Sequence, residues 1–362
     1  MFHPTPLSRI QALALLAAAP LAPAALASHT SSAGLGTGLA AIGTETAVPL
    51  ARGQWSAAVG VEYVDFDPMS DGRLHRLREA DPDADLHSAD SLLRLSAGLA
   101  YGLTEHLTLS LRLPYVSRSD VREPEFEGAG SADALRFQPR HEAGEAPAGA
   151  EVVIEALGDS AGLGDLTAFG QYRFYRSADQ ATHLALLLGM QVPTGKTDER
   201  TRAGPKFEAE LQPGSGAWNG IVGLAATRLS GAVSIDANIL YTYTTEGTQD
   251  TELGDIFDYN LALGYALSGS GHRVPGHRHG HRGFAVDGVL ELNGAWRTKD
   301  RISGYDNRNS GGTLIYLSPG LRLTTPFGVS LALLFGYPLV SDFNGDQDDL
   351  DYRVLSNLAY SF

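Results

Sequence analysis

The 362-residue chain contains no cysteine, which removes disulfides, thiolate metal sites and cysteine nucleophiles together. Lysine is nearly absent as well: the 27 basic residues are 24 Arg and 3 Lys, set against 42 Asp and Glu, for a net charge of −15. That balance excludes nucleic acid as a partner, because phosphate binding needs a basic surface and only one short His/Arg tract is basic. Beyond the N-terminus there is no long apolar run, so any membrane crossing must be made with strands. Glycine, by contrast, is plentiful at 42 residues, with turn signals throughout. This argues against a helical bundle and for an all-β chain.

Residues 1–27 read as a secretory signal peptide. Arg9 is followed by an Ala- and Leu-rich stretch from Ile10 and then by Ala25-Leu26-Ala27, a small-x-small cleavage pattern. Pro20 and Pro23 interrupt the stretch, which is short of the roughly 20 apolar residues of a spanning helix. Cleavage after Ala27 leaves a periplasmic N-terminal segment over residues 28–52 and a barrel over residues 53–362.

The mature chain alternates with period two. Leu93, Leu95, Ala97, Leu99 and Tyr101 share one face, and Leu107, Leu109, Leu111, Leu113 and Tyr115 continue it after a tight turn. Val233 to Tyr243 and Phe257 to Leu267 repeat the device. Such runs predict about twelve strands, at 53–66, 90–102, 106–118, 164–176, 182–193, 218–229, 232–244, 256–267, 283–297, 312–324, 328–340 and 351–362. Two soluble sandwiches would use as many strands. The runs, however, have the roughly 9 to 11 residues that cross a bilayer at a tilt, rather than the usual roughly 5 to 6. Tyr101, Tyr115, Phe174, Tyr241, Trp296, Tyr337 and Tyr360 sit at run ends, where interfacial girdles lie. Connections are alternately long and short. The expected fold is therefore all-β, a transmembrane antiparallel up-and-down β-barrel of about twelve strands with periplasmic N- and C-termini, in the bacterial outer membrane. Its partners would be outer-membrane lipid and lipopolysaccharide. Phe362, in phase with Leu358 and Tyr360, resembles the C-terminal signal read by the barrel-assembly machinery.

The predicted inner face carries Glu62, Arg94, Arg112, Arg173, Asp236, Asp258, Glu291, Arg297, Arg322 and Arg353. Both signs are present. They fit a polar pore that sets selectivity, and equally a network of ion pairs filling a narrow lumen. Residues 119–162 hold ten acidic residues against three Arg, either as a solvated excursion or as a constriction folded into the mouth. Asp342, Asn344, Asp346 and Asp348 have the alternate spacing of a calcium loop but lack its glycine and its final bidentate Glu, and read as an acidic turn. The connection at 268–282 carries His272, His277, His279 and His281. Imidazoles at this spacing can take zinc or copper, while the surrounding glycines favour a plain polar insertion. No other cofactor is implied. His106, Thr108 and His183 form no nucleophile-base pattern, and no nucleophile-elbow sequence is present, so an enzyme is not expected.

Tyr101-Gly-Leu-Thr-Glu-His-Leu-Thr-Leu-Ser-Leu-Arg-Leu-Pro-Tyr115, Gly164-Asp-Leu-Thr, Gln171-Tyr-Arg-Phe174, Val192-Pro-Thr-Gly195, Tyr316-Leu-Ser-Pro-Gly320 and the closing residues 352–362 resemble the outer-membrane transporter-like family labelled phenol meta-pathway degradation. The resemblance runs from about Gly53 to Phe362. It implies a barrel of about twelve strands that passes small, often aromatic or hydrophobic, molecules, and it supplies no catalytic residues. The His-rich turn looks like an addition to the family pattern. The expected function is a channel for passive entry of a small-molecule solute. A closed structural or binding barrel, metal-related through the His-rich turn, is the alternative.

Overall fold

The computed structural model describes residues 41–127, 150–268 and 284–362. The expected signal peptide, most of the His-rich turn with all four of its histidines, and the middle of the acidic 119–162 connection lie outside the described residues.

Sixteen strands follow one another among the described residues. They are β1 (Trp55–Asp67), β2 (Ser91–Gly102), β3 (Leu107–Phe126), β4 (Val152–Leu163), β5 (Leu166–Arg176), β6 (Thr182–Val192), β7 (Asn219–Ser230), β8 (Val233–Tyr243), β9 (Thr251–Glu252), β10 (Ile256–Ser268), β11 (Ala285–Arg297), β12 (Arg301–Ile302), β13 (Tyr305–Asp306), β14 (Gly312–Thr324), β15 (Val329–Phe343) and β16 (Asp349–Ser361). Twelve of them form a closed antiparallel ring in the order β2, β1, β16, β15, β14, β11, β10, β8, β7, β6, β5, β3 and back to β2. The seam joins the ends of the chain: Ser56 stands opposite Ser361 and Val59 opposite Leu358, and the Trp55 and Phe362 backbones exchange hydrogen bonds of 2.9 and 3.0 Å. Within the ring every edge is paired, so none of its twelve strands is left to recruit another chain.

Alternation explains why these segments become these strands. Leu95, Leu99, Leu109, Leu111, Val222, Leu224, Leu261, Leu263, Leu290, Leu292, Leu331 and Leu333 are exposed on the outer wall, while their neighbours in sequence turn inward. In water such a surface would be an aggregation site; against acyl chains it is the apolar band of a membrane barrel. Trp55 packs on Tyr101 at 4.5 Å and Tyr360 on Phe362 at 5.3 Å at the end carrying the short turns and Phe362. Trp218, Tyr241, Tyr243, Trp296 and Tyr337 ring the end carrying the long loops.

The twelve barrel strands lie within a few residues of the ranges expected from alternation, and several features depart from them. β3 continues to Phe126 and pairs there with β4, which is itself continuous in direction with β5 across a break at Gly164-Asp165. A helix, α1 (Asp71–Ala80), fills part of the connection after β1. β9, β12 and β13 form a small sheet among the loops. Residues 41–50, expected outside the barrel in the periplasm, run inside it. The loop that folds into the mouth is not the described part of 119–162 but residues 193–218. Their Phe207 and Leu211 are fully buried with Val64, Phe66, Leu92, Val116, Leu314 and Tyr316.

Candidate functional site: the barrel lumen

The lumen is divided into two parts. Its turn-end half is crossed by residues 41–50, which rise from Leu50 beside Thr108, cross to Glu291 and end at Ala41 beside Arg322. The wall holds this strap largely by its backbone. Glu291 Oε1 accepts from Ile42 N at 2.5 Å and Gly43 N at 3.0 Å, and Oε2 accepts from Thr44 Oγ1 at 2.9 Å and Asn293 Nδ2 at 3.0 Å. Asn238 Oδ1 accepts from Glu45 N at 2.9 Å, Thr227 Oγ1 from Ala47 N at 2.8 Å and Thr108 Oγ1 from Leu50 N at 2.9 Å. Gln171 donates to the Thr46 carbonyl and Arg322 to that of Ala41. Because a buried N–H without an acceptor costs about 1–3 kcal/mol, an irregular segment can lie in a protein interior only where the wall answers it in this way. Apolar contacts complete the seat: Ala47 packs among Leu187, Ile221, Ala225 and Leu240, and Ile42 among Val289, Ala332 and Leu334.

Above the strap, a cavity of about 140 Å³ opens towards the loops. Its lining brings together Arg94, Arg112, Arg118 and Arg297 with the apolar Phe169, Ile221, Leu240 and Ile256. A second cavity of about 50 Å³ lies beside the strap, against Ile42, Gly43, Glu62 and Leu355. Arg94 and Arg112 line both, so the two cavities meet at these guanidinium groups. Arg94 is paired with Glu62. Among the described residues, Arg112 donates no hydrogen bond and meets no carboxylate at ion-pair distance. The mouth is shaped by Asp165 at the β4–β5 break, which accepts from Gly195 N at 2.8 Å, Ser215 N at 2.7 Å and Ser215 Oγ at 2.7 Å. Both Gly195 and Gly214 are needed for this approach, since a Cβ on either would come within 2.6 Å of the other's backbone. Nearer the loops, burial and the neighbouring Asp85 and Asp300 push the Glu210 carboxyl up to about 8.

A family described as "Putative MetA-pathway of phenol degradation" matches residues 136–339, more than half of the chain. The chain belongs to this family. No curated protein matches it. Among solved structures, an outer-membrane channel from Pseudomonas putida F1 is similar, at 16% identity, with a TM-score of 0.55 over 87% of this chain and 97% of that one. The β-domain of the Bordetella autotransporter BrkA gives 12% identity and a TM-score of 0.42 over 86% and 100% of the two chains. A mutant of the TodX monoaromatic hydrocarbon channel gives 10% and 0.39 over 86% and 90%. The fold is that of an outer-membrane β-barrel. Two stretches that carried the resemblance to the phenol meta-pathway family, Gly164-Asp-Leu-Thr and Val192-Pro-Thr-Gly195, meet in space through the Asp165 to Gly195 hydrogen bond.

The ten charged residues picked out in this member of the family all turn inward, but they do not form one site. Arg94, Arg112 and Arg297 line the larger cavity, and Arg297 is paired with Asp300 at 2.5 Å. Glu62 lies between Arg94 and Arg353, the latter 3.8 Å away with its guanidinium over the Tyr316 ring. Glu291 and Arg322 hold the strap, and Asp236 supports it by accepting from Thr227 Oγ1 at 2.5 Å. Arg173 sits low in the barrel, donating to the Glu105 carbonyl at 2.7 Å and lying 3.5 Å from His183 Nδ1. Asp258 is buried on the inner face of β10. His183 is engaged with the Gln180 carbonyl, His106 is exposed in a turn, and Thr108 serves the strap. In the acidic turn, Asp348 accepts from Met69 N and Ala89 N, Asp346 pairs with Arg73, and Asn344 donates to Ser310 O, so these side chains bind neighbouring loops rather than converge. Sequence reasoning missed the strap, which has no alternation, and also Arg118 and Asp165. For Phe207 and Leu211 a signal exists: two large apolar residues isolated in a polar loop.

Proposed function

We propose that the barrel is a non-enzymatic channel for the passive passage of small organic solutes, among them aromatic molecules carrying an anionic group. The observation that carries this reading is Arg112, a cation without a partner among the described residues, placed where the two cavities join. A half-buried guanidinium left unpaired is costly in a structural network and useful in a permeation path, where it lowers the barrier for an anion without trapping it. Phe169, Ile221, Leu240 and Ile256 in the same cavity lining offer an apolar surface to a ring. The strap narrows the path on the turn-end side, which in this reading faces the periplasm.

Planar-bilayer recording tests this directly. The wild type should conduct and show an anion-selective reversal potential under a salt gradient, Arg112→Ala should shift that potential towards neutrality, and deletion of residues 41–50 should raise conductance. Silence from both the wild type and the strap deletion would overturn the channel and favour a closed structural barrel.

A further inference from the structure

We propose that Asp85, His87, Glu208 and Glu210 form a zinc-class divalent-cation site that staples the loop preceding β2 to the loop preceding β7. One ligand atom from each of the four lies within 4.8 Å of the others. The pattern is built twice over. Asp85 and His87 flank the buried Leu86, which packs with Met69 and Leu74 against α1. Glu208 and Glu210 flank the buried Ala209, and Phe207 and Leu211 on either side are fixed in the core of the mouth. In each pair the residue between the ligands is anchored, and Glu208 and Glu210 stand at the start of a single 3-10 turn over Ala209–Leu211.

The unsatisfied atoms at the centre point to a missing cation. The Glu210 side chain is 8% exposed, and its Oε1 is buried with no hydrogen-bond partner. His87 Nδ1 faces it at 3.9 Å and is buried and unpartnered too. That gap is too long for a hydrogen bond and close to the edge between two ligands of one ion, about 3.4 Å at zinc bond lengths of about 2.0–2.2 Å, so a shift of a few tenths of an ångström closes it. Outer contacts orient the donors as they do in metal sites. Asn307 Nδ2 donates to Asp85 Oδ2 at 2.6 Å and Asn309 Nδ2 to the Asp85 carbonyl at 3.0 Å. The backbone carrying the glutamates is held by Ser160 Oγ on the Leu211 carbonyl at 2.6 Å and Gln212 Nε2 on that of Phe207 at 2.7 Å. An imidazole among three carboxylates selects against calcium and magnesium, which prefer oxygen alone. His87 and Glu210 also line the larger cavity, so the ion is reached from the lumen and fixes the width of its mouth.

The test must be separated from the His-rich turn. Full-length barrel in detergent, stripped with chelator and carrying His272→Asn, His277→Asn, His279→Asn and His281→Asn, is titrated with zinc against a chromophoric chelator. It should retain about one tight equivalent and gain thermal stability on loading. Adding His87→Asn and Glu210→Gln should weaken binding by roughly tenfold or more and abolish the gain in Tm. Loss of all zinc binding in the turn-silenced background, unchanged binding in the double variant, or displacement of zinc by equimolar calcium would each overturn the site. Heat-modifiable gel migration of every variant distinguishes loss of metal from loss of fold.

Discussion

At the scale of single residues, the inner face of this barrel divides labour among charges that look alike in the sequence. Glu291 is the clearest case. Fully buried and mid-way along β11, it offers both oxygens to Ile42, Gly43 and Thr44. Glu291→Ala strips the acceptors from these buried donors, each worth about 1–3 kcal/mol. The strap should leave its seat, with single-channel conductance rising and residues 41–50 becoming sensitive to protease added on the turn-end side; an unchanged digestion pattern would show that Glu291 does not hold it. Glu291, Arg112 and Arg353 share one period-two phase, but phase carries no depth and no partner. Whether an inward Arg lies over a tyrosine ring, as Arg353 does, or stands uncommitted, as Arg112 does, depends on what the opposite wall and the strap bring to it.

At the scale of elements, the outer wall obeys one simple rule, and a substitution can check it. Leu261, half-exposed near the middle of β10, should meet acyl chains; Leu261→Arg is expected to destabilise the barrel by about 2–4 kcal/mol in a denaturant titration of folding into liposomes. A change within a few tenths would place that wall outside the hydrocarbon. The strands were legible because lipid demands every outward position be apolar while the lumen tolerates polar ones, a contrast that repeats along Val233 to Tyr243 and again along Phe257 to Leu267. The extension of β3 past Arg118 was not legible, because there Ser119, Asp120, Arg122 and Glu123 run between β4 and the connection preceding β2 and show no apolar–polar contrast. Nor could the strap be seen: it bends at Gly43, Thr44 and Ala47, pairs with no strand among the described residues, and is satisfied by side chains from four parts of the wall.

At the scale of the whole molecule, the ring closes between its first and last strands, so β16 serves both β1 and β15. Removing residues 349–362 should leave two unpaired edges, and the truncated chain should give no compact, heat-modifiable species on a gel; recovery of such a species would mean that β1 and β15 can seal the ring without it. Near-neutral average hydropathy, which in isolation reads as a soluble chain, is the sum of an apolar outside and a polar inside. The mouth closes by a different logic: the 193–218 loop inserts a small apolar core of its own, and Asp165 pins its two ends together.

The strap is recognised mainly through peptide groups: the amides of Ile42, Gly43, Glu45, Ala47 and Leu50 and the carbonyls of Ala41 and Thr46 make most of its bonds, and the specificity sits in Glu291, Asn238, Thr227, Thr108, Gln171 and Arg322 of the wall. Packing constrains its side chains as well: Ile42, Thr44, Ala47, Val48 and Leu50 are all buried, and a Cβ at Gly43 would stand 3.0 Å from Glu291 Oε2. Obstruction and wall are thus fitted to each other by peptide groups and side chains alike, so differences in permeability between related channels are to be sought in paired changes of the segment and of the wall that receives it.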